Sequence, residues 1–143
     1  MTLATARFKT PELWRSFMME RNTITNQKGE NKFSMQVYPE GFSMSPPDMN
    51  AEFTKWAAVE VTDKEAVSEG MSTYELGGGM YAVFTYKGLP SGFGRMIQYI
   101  FGEWLPGSEY ELDNREHFEL LGPEYRPDDP EAEEEVWIPI RLK

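Results

Sequence analysis

Residues 92–104, GFGRMIQYIFGEW, decide the fold because they carry the clearest periodic pattern in the chain. Their apolar side chains recur at the i, i+3, i+4, i+7, i+8 and i+11 positions of a single helix face. Ser91 can cap the first turn, and Pro106-Gly107 follows the last one. The pattern predicts an amphipathic helix that can cover one face of a sheet, with a stripe made of Phe93, Met96, Ile97, Ile100, Phe101 and Trp104.

A second helix is predicted at 11–21, because Thr10 can cap it and Pro11 suits the first helical position. The segments around the two helices are short, rich in β-branched or aromatic residues and bounded by Gly, Pro or Asn, which is typical of strands. Weaker strand signals lie at 2–8 and 72–76. The stronger signals lie at 33–38, 53–61, 80–86, 116–121 and 135–142.

The predicted elements run strand–helix–strand–strand twice. This order predicts a single α+β domain over residues 1–143, with halves at about 1–70 and 71–143. Each half would be a βαββ module with an antiparallel sheet, and a pseudo-twofold axis would relate the two modules. Each helix can cover one sheet face, so the remaining faces must meet each other, a partner or a ligand.

The charge and the residue types narrow the function classes. Asp and Glu number 24 against 14 Lys and Arg, for a formal net charge of −10, which disfavours direct binding to nucleic acid or to anionic membranes. The absence of cysteine excludes disulfides and a cysteine nucleophile, and the single histidine excludes a histidine-rich metal site. No segment looks like a signal peptide or a membrane span. We therefore expect a cytoplasmic protein with no metal and no cofactor, and its oligomeric state is left open.

Strand alternation places one carboxyl group among aromatic rings. The last strand has an aliphatic face that should pack on the helices, which leaves Trp137 on the other side. Assigning the apolar residues of the preceding strand to the helix side likewise leaves Glu119 opposite. The same reasoning in the first half adds two rings. We therefore expect the faces away from the helices to present Tyr38, Trp56, Glu119 and Trp137.

A carboxylate among ring faces attracts a flat, lipophilic cation, because the ring quadrupoles and the countercharge act together. The alternative is that the tryptophans are core residues between sheets. Glu119 would then pair with Arg141 or with a surface lysine, since a buried glutamate needs a partner. The pattern leaves both interpretations open, and alternation does not decide whether Tyr81 or Tyr86 faces the same side as Glu119.

Several motifs occur together in the order and spacing of one protein family. They are YAVFTYKG at 81–88, YIFGEWLPGSEYEL at 99–112, Phe118-Glu119 and VWIPI at 136–140, joined in the first half by Leu13-Trp14 and by residues 56–61. Together these motifs resemble the GyrI-like, AraC-type effector-binding domains, and especially their stand-alone, integron-associated branch. The similarity covers most of the chain from about residue 11 onward.

The resemblance implies a duplicated βαββ fold with a ligand cleft between the modules. It also implies that Glu119 matches a family glutamate that neutralises cationic lipophilic ligands. The effector domain fills the 143 residues, so we expect no attached DNA-binding domain, and the short lead-in to the first helix departs from the family pattern. The cleft aromatics of the family would fall on Tyr38, Trp56, Tyr86, Trp104 or Trp137.

Three function hypotheses follow from these features. The first is a stand-alone, multidrug-like binding protein for cationic or aromatic lipophilic ligands, linked to transcription regulation. The second is a hydrolase of reactive electrophilic small molecules, in which Glu119 is the general acid or base and Tyr81 or Tyr86 is a donor. The third is a protein-binding inhibitor of the DNA gyrase type, whose acidic surface meets a basic protein partner. Binding without turnover is the hypothesis that we carry forward.

Overall fold

A computed structural model describes residues 1–65 and 68–143. Two α-helices are present in these ranges, and the second continues directly into a π-helical turn over Ile100–Trp104. The helices are α1 (Leu3–Glu20) and α2 (Phe93–Tyr99), and the strands are β1 (Gln27–Val37), β2 (Thr54–Val61), β3 (Tyr81–Lys87), β4 (Tyr110–Leu112), β5 (His117–Leu121) and β6 (Glu133–Leu142).

The six strands form one antiparallel sheet, which confirms the predicted α+β class. The strand order is β2-β1-β5-β6-β3, and β4 pairs with the far end of β6. The prediction of separate sheets is corrected, because β1 and β5 pair directly and join the two halves of the chain. In the described ranges, neither helix is long and apolar enough to cross a membrane.

The first helix begins eight residues earlier than predicted, so the weak strand prediction at 2–8 is wrong. Thr2 caps the helix through a reciprocal capping box with Thr5, which satisfies backbone donors that the first turn leaves unpaired. The segment that follows is rich in alanine and other good helix formers. Pro11 therefore lies inside the helix. The sequence pattern had predicted it at the first helical position.

The other element boundaries differ in smaller ways. Residues 72–76 form no strand, and Tyr74 of this segment instead packs edge-on against Trp56, with ring centroids 5.5 Å apart. Strand β4 was not predicted. It is only three residues long and pairs with Ile140–Leu142 at the end of β6, which is too short for a periodic signal in the sequence.

The main core lies between α2 and the strands β3 and β6. Val136, Ile138 and Ile140 are almost completely buried and face the helix stripe, as the alternation predicted. The predicted stripe of α2 and its π-helical continuation is confirmed, since all six of its members belong to this cluster or pack against it. We call the side of the sheet that carries these three residues the helix-side face.

The register of β5 against β6 corrects the predicted face of Glu119. Glu119 lies directly opposite Val136, whereas Phe118 lies directly opposite Trp137. Residues directly opposite each other in an antiparallel pair point to the same face. Glu119 is therefore on the helix-side face, and Trp137 is on the opposite one. Phe118 and Trp137 stack with ring centroids 5.1 Å apart, so aromatic packing decides which way β5 faces.

The packing around β6 predicts the outcome of a core truncation. Ile138→Ala should lower the free energy of unfolding by about 2–5 kcal/mol, because the cavity it leaves lies in a closed part of the core. Val83→Ala on the neighbouring strand is the control, since Val83 is 46% exposed, and it should change that free energy by roughly 0.5 kcal/mol or less. Urea unfolding of both variants measures the difference, and equal losses would contradict the assignment of the core.

Candidate functional site

A group of polar side chains interrupts the helix-side face at the centre of the sheet. Ser34 and Gln36 of β1 are buried, and so is His117 of β5, although a sheet face that packs on helices is normally apolar. The register also brings three charged residues to this face. Lys55 lies opposite Gln36, Glu119 lies opposite Val136, and Glu134 is two residues before Val136. We call this group the polar patch; it consists of Ser34, Gln36, Lys55, His117, Glu119 and Glu134.

Glu119 is the centre of the polar patch. Its side chain is only 14% exposed, and its Oε1 atom accepts a hydrogen bond of 3.1 Å from the Gln36 side-chain amide. The Nζ atom of Lys55 lies 3.8 Å from the same oxygen, and the Lys55 side chain is 7% exposed. No hydrogen bond to Oε2 is formed by any residue in 1–65 or 68–143. One carboxylate oxygen is thus engaged within the protein, and the other is available.

Burial sets the protonation behaviour of this ion pair. Desolvation raises the pKa of Glu119 above its ordinary value, and the nearby Lys55 ammonium and Gln36 amide oppose that rise. Desolvation lowers the pKa of Lys55, and the charges of Glu119 and Glu134 oppose that fall. Each partner therefore needs the other to remain charged, and a charged group introduced nearby would disturb both.

Glu134 supplies a second carboxyl group to the polar patch. Desolvation and the charge of Glu119 raise its pKa to about 7, against the effect of Tyr125 and Lys55. Burial and the charges of Glu134 and Glu119 raise the pKa of Tyr125. The patch thus contains two carboxyl groups and one ammonium group, and one of its carboxyl groups titrates close to neutral pH.

Aromatic rings enclose one end of the polar patch. Tyr38 contacts His117 edge-on at 4.8 Å between ring centroids and lies 4.5 Å from Phe42 and 5.0 Å from Phe53. Burial and the charge of Glu119 raise the pKa of Tyr38. Burial lowers the pKa of His117 to about 4, with a contribution from Arg115, so His117 is neutral at pH 7. The ring cluster is therefore apolar in character and uncharged at neutral pH.

Two surface cavities meet at the Tyr38 ring. One has a volume of about 240 Å³ and extends to His117, Leu112 and Arg141. The other, of about 420 Å³, lies on the far side of Tyr38 and reaches Phe53 and Met1. Tyr38 lines both cavities and Glu119 lines neither, and the first cavity reaches the polar patch at His117.

The structure separates the predicted site residues into two groups. Glu119 and Tyr38 lie together at the helix-side face. Trp56 lies opposite Met35, which puts it on the other face with Trp137. The expectation of three rings around Glu119 is therefore corrected, because the two tryptophans share a face with each other and not with the carboxylate.

The remaining predicted aromatics have structural contacts. Tyr86 packs edge-on against Phe93 of α2, and its hydroxyl group donates to the Leu89 carbonyl oxygen. Trp104 packs against Phe84 at 5.1 Å in the main core. Tyr81 lies on the opposite face, where its ring contacts Trp137 at 5.5 Å. Neither Tyr81 nor Tyr86 is placed as a proton donor beside Glu119.

Sequence reasoning missed the charged partners of Glu119. Lys55 lies next to Trp56, and Glu134 lies one residue before the strand predicted at 135–142. Both occupy strand positions that alternate in phase with residues of the helix-side face. That two-residue period was the available signal, and it becomes informative only once the register of each strand is known.

An α+β domain with a buried polar patch on one sheet face, next to an aromatic cluster, has the features of a ligand-binding domain. The family model for the GyrI-like small molecule binding domain matches residues 4–141. The chain therefore belongs to the GyrI-like family of small-molecule binding domains.

The chain is also similar to part of a transcriptional regulator. Transcriptional regulator BrlR of Pseudomonas aeruginosa is 28% identical over 130 residues, which cover 90% of this chain. The aligned segment is 45% of the length of BrlR, so the chain spans less than half of that relative.

The raised pKa of Glu134 predicts a pH dependence of stability. Its folded pKa of about 7 lies above the ordinary glutamate value of 4.5, so its contribution is fully present below pH 4.5 and is lost as the pH rises through 7. Glu134→Gln should therefore reduce the loss of unfolding free energy between pH 5 and pH 8 by on the order of 2 kcal/mol. Urea unfolding at the two pH values measures this change.

The neighbouring exposed residue provides the control for that experiment. Glu133→Gln removes a carboxylate from the same strand without touching the helix-side face, and it should leave the pH dependence of the wild type unchanged. An identical pH dependence for the wild type and Glu134→Gln would show that Glu134 titrates like an exposed glutamate.

Proposed function

We propose that this chain binds small lipophilic molecules that carry a positive charge or an aromatic ring, and that Glu119 is the residue that recognises the charge. The observation that carries the proposal is the half-engaged carboxylate of Glu119, which is 14% exposed and accepts from Gln36 through Oε1 alone. A carboxylate in a poorly solvated site gains from a nearby positive charge, because desolvation disfavours its ionised form. A cationic ligand beside Oε2 would supply that charge.

The proposal includes a duplicated fold, in which the ligand binds where two modules meet. A helix followed by an antiparallel strand pair occurs twice, as α1-β1-β2 and, with the short β4 inserted after the helix, as α2-β4-β5-β6, and β1 pairs with β5 between them. The second module also has β3 ahead of its helix, whereas the first has no strand ahead of α1 in the described residues. The polar patch takes residues from both modules, which supports a site at their junction.

The aromatic cluster supplies the apolar part of the proposed site. Tyr38 lines both cavities, and Phe42 and Phe53 extend its ring surface. Rings bind flat ligands through contact area with little demand on hydrogen-bond geometry, which supports broad specificity. A cation gains further from the ring faces. The proposed binding residues are therefore Glu119 for charge and Tyr38 for stacking.

The relation to a regulator supports a role in sensing. BrlR is a transcriptional regulator, and this chain corresponds to less than half of it. We propose that ligand binding by this chain is likewise linked to transcription regulation, through a protein partner that recognises the ligand-bound state. The formal net charge of −10 favours such a protein contact over direct contact with DNA.

A matched pair of ligands tests the charge recognition. The cation is (biphenyl-4-ylmethyl)trimethylammonium, and the neutral isostere is 4-neopentylbiphenyl, in which carbon replaces the ammonium nitrogen. Glu119→Gln should weaken binding of the cation by about 10–100-fold, because two unit charges about 5 Å apart in a partly buried site attract each other by on the order of 2–3 kcal/mol. The neutral isostere should lose about 3-fold or less. Tryptophan fluorescence titration measures both dissociation constants.

One control variant and the choice of ligands define the outcome. Glu60→Gln removes an exposed carboxylate from β2 and should leave both affinities unchanged. Neither ligand has a readily hydrolysed bond, so both dissociation constants report binding without turnover. If Glu119→Gln lowers the affinities for the two ligands equally, Glu119 is excluded as the charge-recognising residue. Absence of binding to the wild type would overturn the proposed function.

A further inference from the structure

We propose that Lys55 is a tethered counter-cation that a charged ligand must displace from Glu119, and that Glu134 receives the displaced ammonium group. The inference rests on the proposed function, because it concerns how the same site selects ligands by charge. In this proposal Lys55 determines the selectivity for ligand charge and has no role in the binding of neutral ligands.

The geometry of the Lys55–Glu119 contact is suited to exchange. Lys55 Nζ lies 3.8 Å from Glu119 Oε1, which is longer than the 2.7–2.9 Å of a charge-assisted hydrogen bond. Gln36 already donates to that same oxygen at 3.1 Å. The ammonium group is thus held by charge and burial and not by a tight hydrogen bond. Its flexible four-carbon stem allows the charge to move while the strand stays in place.

A second carboxyl group next to Glu119 provides a destination, because Glu134 of β6 is the diagonal neighbour of Glu119 across the β5–β6 pair. The charges of both Glu119 and Glu134 act to keep Lys55 protonated, and Lys55 in turn favours the ionised form of Glu134. When a ligand cation pairs with Glu119, movement of the ammonium group toward Glu134 leaves no buried charge alone. A buried charge that loses its partner is strongly destabilising, so the second carboxyl group makes the exchange feasible.

The charge count of the site changes in a defined way. Without a ligand, the pair of Lys55 and Glu119 is neutral, and Glu134 is the remaining acid. With a bound cation, two positive groups face two carboxylates. If Lys55 stayed on Glu119, two cations would share one carboxylate, and their repulsion would be strong in a poorly solvated site. Lys55 therefore opposes cationic ligands and leaves neutral ligands almost unaffected.

Removal of the tethered cation tests the first half of the inference. Lys55→Met keeps the length and apolar character of the stem and should tighten binding of (biphenyl-4-ylmethyl)trimethylammonium at least about 5-fold. The affinity for 4-neopentylbiphenyl should change less than about 2-fold. Lys64→Met is the matched control, because Lys64 is paired at the surface with Glu75 and is 62% exposed. It should change neither affinity.

A double-mutant cycle tests the role of Glu134. Glu134→Gln in the wild-type background should weaken binding of the cationic ligand by about 5-fold, because the displaced ammonium group of Lys55 then has no partner. In the Lys55→Met background the same substitution should have less than about a 2-fold effect. If the effect of Glu134→Gln is as large without Lys55 as with it, Glu134 attracts the ligand directly and the exchange is excluded.

The outcomes separate this inference from the proposed function. If neither ligand binds to the wild type or to Lys55→Met, both proposals fail. If Glu119→Gln weakens binding of the cation but not of the neutral ligand, while Lys55→Met leaves the ratio of the two affinities unchanged, the proposed function stands and the role of Lys55 is overturned. Lys55→Gln, which keeps a polar end group, provides the same comparison if Lys55→Met does not fold.

Discussion

The antiparallel pairing of β1 with β5 is the interaction on which the rest of the structure depends. It joins the first half of the chain to the second and sets Ser34 directly opposite Glu119 and Gln36 opposite His117. The outer strands then bring their own residues to these positions, Lys55 from β2 opposite Gln36 and Glu134 from β6 beside Glu119. A shift of one residue in this register would turn these side chains to the other face. The register of β1 against β5 therefore determines both the fold and the composition of the polar patch.

The two faces of the sheet differ in character, one packed with aromatic rings and the other carrying the polar patch. The face opposite the helices stacks Phe118 on Trp137, with Tyr81 edge-on to both, and this packing fixes the direction in which β5 faces. The helix-side face is apolar toward β3 and β6, where α2 covers it, and polar at its centre. Trp137 thus stabilises the orientation that points Glu119 to the helix-side face.

The sequence was sufficient for features that depend on one element alone. The stripe of α2 and the aliphatic side of β6 follow from local periodicity, and both are confirmed. The face of Glu119 depends on two strands, because alternation gives each strand two equivalent orientations and only the pairing partner chooses between them. Phe118 was assigned to the helix side as an apolar residue, whereas Trp137 offers it a larger ring surface. Lys55 and Glu134 were missed because charged residues are expected in solvent, and the sheet register buries them.

In the proposed exchange, the internal lysine resolves a conflict between stability and ligand affinity. A single carboxylate buried in the empty domain would cost several kcal/mol if it were ionised without a partner, so a site with Glu119 alone would be destabilised whenever no ligand is bound. A tight ion pair would remove this cost but would also exclude the ligand. Lys55 at 3.8 Å from the Glu119 oxygen lies between these limits. Because the cation of the empty site is covalently attached through β2, a substitution at position 55 can change charge selectivity while the fold and the carboxylate stay the same.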